Sequence, residues 1–250
     1  MKTLFVGRTI IRLEKVGSTN NYAASLPVSD APEGTVIIAE NQTEGRGQGL
    51  RKWHVEPGKN ITATVVFRPL FLPSADIFAL NKAVALALMH ACNEVCGSAK
   101  CCIKWPNDIL SEGRKLAGIL TENTMRGSQI VSYLAGFGLN VNQTEFPPEA
   151  GKPGSLRLIL QSQELDKERV LQVICEHLEV WYLKLRNGKI LEINEAYNAN
   201  LWQDRVRVIP AGTEEGFYAQ VNGVDLDGKL LLTDEQGCRM AIAHGEAIIE

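Results

Sequence analysis

Apolar positions along this chain recur with two different periods, and the switches between them predict the elements. Residues 74–95 carry apolar side chains at 77, 80, 84, 87, 88, 91 and 95, the spacing of an amphipathic helix, with Gly97 behind it as a stop. Residues 166–185 repeat the helical pattern ahead of Gly188, and a third helix is predicted over 190–201. Compact β-branched runs at 35–40 and 61–67 read as strands, the second stopped at Pro69. Ser18, Thr19 and Asn20 offer N-cap residues for a short helix reaching about residue 26. Three more strands are predicted at 101–105, 115–122 and 130–141. The short turns between them, at 106–108 and 126–128, favour an antiparallel meander over βαβ units.

From about Arg205 the texture changes. Short strands at 206–209, 217–224, 229–233 and 240–249 are separated by Ala-Gly, Asp-Gly and Gln-Gly turn signals, the pattern of a small β-barrel. The expectation is an α+β chain with a boundary near Asp204, a larger unit over 1–204 and a smaller one over 205–250.

Charge and composition narrow the function classes. A net charge of −3 gives no overall basic field for nucleic acid or a membrane surface, although a local basic loop could hold one anionic ligand. The short N-terminal apolar run is broken by Gly7 and Arg8, which argues against a signal peptide. No stretch approaches ~18 apolar residues, so no membrane span is expected. The sequons at Asn41, Asn60 and Asn142 are then not credible glycosylation sites. The six cysteines, at 92, 96, 101, 102, 175 and 238, form no Cys-x-x-Cys pair, and the four histidines show no metal-ligand spacing. Buried, reduced thiols and a cytoplasmic location are expected.

Three segments carry candidate chemistry. The loop Gln42-Thr-Glu-Gly-Arg-Gly-Gln-Gly-Leu-Arg-Lys-Trp53 places glycines at 45, 47 and 49 among the cations Arg46, Arg51 and Lys52. That combination suits phosphate groups, but it also describes a flexible hairpin with solvated charges. Neither a dinucleotide fingerprint nor a Walker loop fits, because the spacing fails and a strand follows. Lys104 stands between Ile103 and Trp105 before a Pro-Asn-Asp turn, either snorkelling at a sheet face or facing a pocket. Gly136 and Gly138 leave one face of their strand without side chains, and Gly118 does so on a neighbouring strand. A groove or a bulge would each explain that. The segment 223–229 nearly fits a Walker spacing, but Leu230 replaces the required hydroxyl and Asp227-Gly228 reads as a hairpin turn.

Together these pieces resemble the biotin protein ligase family. The matching motifs are Gly17-Ser-Thr-Asn20, Gln42-Thr-Glu-Gly-Arg-Gly47, Lys104-Trp-Pro-Asn-Asp108, Lys115-Leu-Ala-Gly-Ile-Leu120 and Gly136-Phe-Gly-Leu-Asn140, in the family's order. The resemblance implies a catalytic domain related to class II aminoacyl-tRNA synthetases, with a mixed or antiparallel sheet, followed by an SH3-like barrel. It implies activation of biotin with ATP to biotinyl-adenylate, then transfer to a lysine of a biotin carboxyl carrier protein. Ser18, Thr19 and Gln42 would meet the biotin head group, with Asn20, Gly45 and Arg46 in the same set, and Gly118 and Gly138 would form the floor beneath the ring. Arg46 and Arg51 would hold the triphosphate, Trp53 would cover the adenine, and Asn140 would lie along the nucleotide. Lys104 would bridge the biotin carboxylate and the α-phosphate. Mg²⁺ is expected with the leaving pyrophosphate, with Asp108 the one candidate ligand.

Two departures bear on the resemblance. Well-known members continue the loop as Gly-Arg-Gly-Arg, where this chain has Gln48, which would weaken retention of the adenylate. Bifunctional members carry a winged helix-turn-helix ahead of the Ser-Thr-Asn motif, and only 17 residues precede Ser18 here, so DNA binding and repression are not expected. Self-association into a homodimer is left open. The nearest rival, a lipoate ligase, would carry an Arg-Arg…Gly-Gly-Gly pattern and no barrel. A non-catalytic biotin-binding module would not need the three cations Lys104, Arg46 and Arg51.

Overall fold

A computed structural model describes residues 2–47, 53, 55–97 and 99–249, apart from the side chain of Glu149. Arg51, expected to hold the triphosphate, lies outside the described residues together with Gln48 and Lys52. The larger sheet has seven strands: β1 (Ile10–Val16), β2 (Val36–Gln42), β3 (Ile61–Phe67), β4 (Cys101–Lys104), β5 (Asp108–Ser111), β6 (Arg114–Arg126) and β7 (Gln129–Leu139). Their order is β1-β2-β3-β7-β6-β5-β4. Among the described strands of this sheet, β1 and β2 form the one parallel pair. A parallel pair needs a crossover, and helix α1 (Thr19–Ser25) supplies it. The crossover lays the N-terminus of α1 on the sheet face opposite the main core.

Strand β3 shows how the two faces divide. All seven of its residues are buried, because both faces are covered. Ile61, Ala63, Val65 and Phe67 face the main core with helices α2 (Ile77–Cys96) and α4 (Lys167–Arg186). On the other face Val66 joins Ala23, Ile37 and Leu134 in a small cluster under α1, while Thr62 and Thr64 stay polar. Period-two alternation thus assigns one face to packing and part of the other to hydrogen bonding. The span Ser74–Cys96 is long and apolar enough to cross a membrane by composition. It is instead a core helix, with Leu86, Leu88 and Met89 fully covered.

The meander expected over 101–141 is present, with one more strand than predicted. Residues 108–111, read as the exit of a turn, pair with β4 and β6. The turn into β6 is Glu112-Gly113, both at positive φ (51° and 70°), the conformation of a tight type I′ hairpin. Strand β1 and the short helix α3 (Leu156–Leu160) were not predicted either. Helix α5 (Ile190–Ala199) ends two residues early.

Residues 205–249 form a second, wholly antiparallel sheet of β8 (Arg205–Pro210), β9 (Phe217–Val224), β10 (Leu230–Asp234), β11 (Arg239–Ile242) and β12 (Ala247–Ile249). The single strand expected at 240–249 is two. A turn closed by the Glu246 N–H on the Ala243 carbonyl breaks it, and β12 pairs with β8 rather than β10. The 223–229 segment is the β9–β10 hairpin, as expected. Its tip docks onto the larger unit. Trp105 Nε1 donates to the Gly228 carbonyl at 3.0 Å, and a Cβ on Gly228 would strike the Phe78 ring at 2.2 Å. The Lys82 ammonium, 1% exposed, donates to Asn194 and to the Asp225 carbonyl. Burial pushes its pKa down to about 8.

All six cysteines are free thiols. Four are buried, but Cys238 is exposed and Cys102 half-buried, so the expectation of burial holds for the core positions only. Burial pushes the Cys175 thiol up to about 12, which keeps it unreactive.

Candidate active site

The face of the sheet not taken by the main core opens into a cleft of about 1080 Å³. Its floor is one register row across five strands. Thr62 on β3 faces Gly138 on β7, Gly138 faces Gly118 on β6, Gly118 faces Asp108 on β5, and Asp108 faces Lys104 on β4. The two glycines are therefore adjacent in space and bare of side chains. At one end of the row lie hydroxyl and amide groups, and at the other end lie charges.

The uncharged end is built by α1. Ser18 caps the helix, accepting from the Asn21 N–H. Gln42 Oε1 accepts from the Thr19 N–H at 2.9 Å and faces its hydroxyl at 3.2 Å. Thr64 Oγ1 donates to Asn20 Oδ1 at 2.6 Å and lies 2.9 Å from Thr19 Oγ1, and Asn20 Nδ2 donates to the Leu120 carbonyl. Asn20 thus spends its polar atoms tying α1 to the sheet. Gly136 makes room for it, since a Cβ there would sit 2.2 Å from Asn20 Oδ1. Ser18, Thr19, Asn20 and Gln42, named from the sequence as head-group contacts, all line the cleft.

At the charged end the structure adds a residue that the sequence reading passed over. Lys115 Nζ is 2.7 Å from Asp108 Oδ1 and 3.4 Å from the place a Cβ on Gly118 would take. Strict alternation would put residues 115 and 118 on opposite faces. The register shift between Ile109 and Leu110 inserts an extra residue in β6, so both point into the cleft. Lys104 also lines the cleft, but farther out, its ammonium 5.5 Å from the centre of the Trp202 ring. Arg46 reaches Glu122 at 2.8 Å and Asn21 at 2.7 Å.

Trp53 occupies the floor itself. Its ring lies against Gly118 and Gly138, with the Lys115 ammonium 5.6 Å above the ring centre. The glycines expected beneath a ligand ring lie under an indole of the protein. Gly45 anchors the base of that loop: its carbonyl accepts from the Trp53 N–H at 2.9 Å, and a Cβ would meet the Trp53 carbonyl at 2.5 Å. Asn140 is buried beside the cleft, its Nδ2 donating to the Gly154 carbonyl. Among the described residues Asn140 Oδ1 and Trp53 Nε1 are buried without a partner, a costly state that a bound ligand could relieve. No group of three or more potential metal ligands occurs among the described residues.

A cleft of this size, graded from neutral donors to cations over a glycine floor on an α+β frame, has the form of a small-molecule-binding site. Residues 13–140 match the biotin/lipoate A/B protein ligase family, and the chain belongs to that family. It is 32% identical over 245 residues to the bifunctional ligase/repressor BirA of Bacillus subtilis (strain 168), covering 96% of this chain and 74% of that one. It is 31% identical over 236 residues to the biotin–[acetyl-CoA-carboxylase] ligase of Paracoccus denitrificans, covering 90% and 94%. The biotin protein ligase of Aquifex aeolicus, solved in complex with biotin and ATP, superposes with a TM-score of 0.81 at 23% identity, covering 97% of this chain and 99% of that chain. This last likeness establishes the shared α+β fold.

Proposed function

We propose that this protein is a biotin protein ligase, which activates biotin with ATP and transfers it to a lysine of a carboxylase's biotin carboxyl carrier protein. The observation that carries the reading is the floor row. A ligand with a neutral ureido head, a slim middle and an anionic tail matches a cleft that runs from Thr62, Ser18 and Thr19 over two glycines to Asp108, Lys104 and Lys115. The identity to relatives named for this activity supports the same assignment. In this reading residues 1–204 are a class II synthetase-like catalytic domain and 205–250 an SH3-like module.

The chemistry follows from charge. A biotin carboxylate oxygen attacks the α-phosphorus of ATP, forming the acyl–phosphate bond of biotinyl-adenylate as pyrophosphate leaves. Both partners are anionic, so cations fixed near the phosphorus supply most of the rate. The reading gives that work to Lys104 and Lys115 together, where the sequence alone pointed to Lys104. Arg46 joins them by exchanging Glu122 for phosphate, Asn140 Oδ1 offers an acceptor to the nucleotide, and Arg51 retains its expected triphosphate role. Asp108 is a single carboxylate donor on the floor, which suits a Mg²⁺ ion that arrives on the phosphates and keeps most of its waters. Such an ion, when bound, neutralises charge on the departing pyrophosphate. In the second step the uncharged amine of the acceptor lysine attacks the acyl carbon, loses a proton, and AMP departs.

Biotin-dependent exchange of pyrophosphate into ATP tests the reading. Exchange is expected with biotin and absent with lipoate or amino acids. Comparable exchange with lipoate would overturn the choice of substrate.

A further inference from the structure

We infer that Trp202, in the segment joining the two sheets, is a positioning residue for the Lys104 ammonium, so that this junction forms part of the catalytic cleft. The inference rests on the adenylate-forming reading and deepens it.

The cations that line the cleft are not equivalent. Arg46 is paired with Glu122 and Lys115 with Asp108, and Lys152 belongs to an exposed loop. Among the described residues the Lys104 ammonium has no ion pair or hydrogen bond, and it rests on the Trp202 ring at 5.5 Å. The distinction matters for chemistry on anions. A carboxylate holds a cation by cancelling its charge. An aromatic face attracts it through the ring quadrupole and leaves the charge available. The ring also confines a flexible four-carbon stem whose freedom would otherwise be lost on binding.

The backbone that carries the ring is fixed from two directions. Trp202 N–H donates to the Ile103 carbonyl at 2.7 Å and Ile103 N–H to the Asn200 carbonyl at 2.9 Å, with Leu201 in a parallel bridge to Ile103. The joining segment thus continues the larger sheet beyond β4, beside the residue preceding Lys104. On its other side the Asp204 carbonyl accepts from Val221 on β9, and Trp105, the residue after Lys104, is held by Gly228. Both neighbours of Lys104 are therefore anchored, one to the joining segment and one to the second sheet. Trp202 and Asp204 line the same cleft as Lys104, which puts the junction in reach of the ligand.

The test is a double-mutant cycle on the full chain with Trp202→Leu and Lys104→Gln, plus Trp202→Phe as the conservative variant. Trp202→Leu is expected to lower kcat for pyrophosphate exchange roughly threefold to thirtyfold, the range of a cation–π contact, with the KM for biotin unchanged. Trp202→Phe should restore most of the loss. In the Lys104→Gln background, Trp202→Leu should do nothing further. Additive losses in the two backgrounds, or a Trp202→Leu enzyme equal to wild type, would overturn the inference. If the leucine variant does not fold, Trp202→Met replaces it. If wild type shows no biotin-dependent exchange, the functional reading fails, and calorimetric binding of ATP to the same variants still decides whether the two residues are coupled.

Discussion

Trp53 and Gly138 share one space. The indole Nε1 lies 2.2 Å from where a Cβ on Gly138 would be, and the ring carbon Cζ3 lies 3.3 Å from the same place on Gly118. The glycine pair therefore seats an aromatic ring of the protein where the sequence led us to expect a ring of the ligand.

A ligand that uses this floor has to move or share the indole. Biotin with ATP is expected to shift the emission of Trp53, read as the difference between wild-type and Trp53→Phe spectra, since Trp105, Trp181 and Trp202 contribute to both. A difference spectrum that ligands leave unchanged would place the ligand elsewhere in the cleft. Gly138→Ala should produce the shift without ligand, because its methyl group needs the volume of the ring.

Lys104 and Lys115 should separate by substitution. Lys104→Gln keeps the bulk of the stem and is expected to fold normally, checked by circular dichroism. Losing one electrostatic contact to the transition state costs on the order of 10²–10³ in rate, measured as pyrophosphate exchange. Lys115→Gln is expected to lose as much and also to leave Asp108 without its cation. A folded Lys104→Gln enzyme within about threefold of wild type would remove Lys104 from the step and leave Lys115 as the lysine that acts at the phosphorus.

Thr64 is fully buried and reaches Asn20 and Thr19 on α1. Thr64→Val keeps the shape but leaves both without that hydroxyl, at a cost of about 1–3 kcal/mol. A lower thermal midpoint and weaker biotin binding by calorimetry are expected together, because the same bonds seat Ser18 and Thr19. Thr64→Ser should recover both. Loss of stability with unchanged biotin affinity would detach α1 from the binding site.

Lys82 gives a pH dependence with a definite sign. Burial lowers its pKa from 10.5 to about 8 in the folded protein, so between those values the unfolded chain binds the extra proton. Stability contributed at this site therefore rises as pH rises from about 8 to 10.5 and is lower below 8. The difference in unfolding free energy between wild type and Lys82→Met should grow in favour of wild type over that window, by up to about 3 kcal/mol. The comparison cancels the other groups that titrate there. A pH-independent difference would show that Lys82 keeps its ordinary pKa.

Much of this protein is decided by local sequence. The long helices, the buried strand 61–67, the Asp-Gly hairpin and the short strands that follow Arg205 were legible because periodicity and turn chemistry act over a few residues. The motifs also named Ser18, Thr19, Gln42, Gly118, Gly138 and Lys104, all of which line the cleft. What stayed hidden depends on contacts distant in the chain. The strand at 108–111 is too short to show a period, and it exists because β4 and β6 satisfy its backbone groups. The place of Lys115 is set by one inserted residue that reverses alternation, a change no side-chain pattern records. The seating of Trp53 on the glycines, and of Lys104 on Trp202 some hundred residues later, was decided only when the sheet brought those segments together.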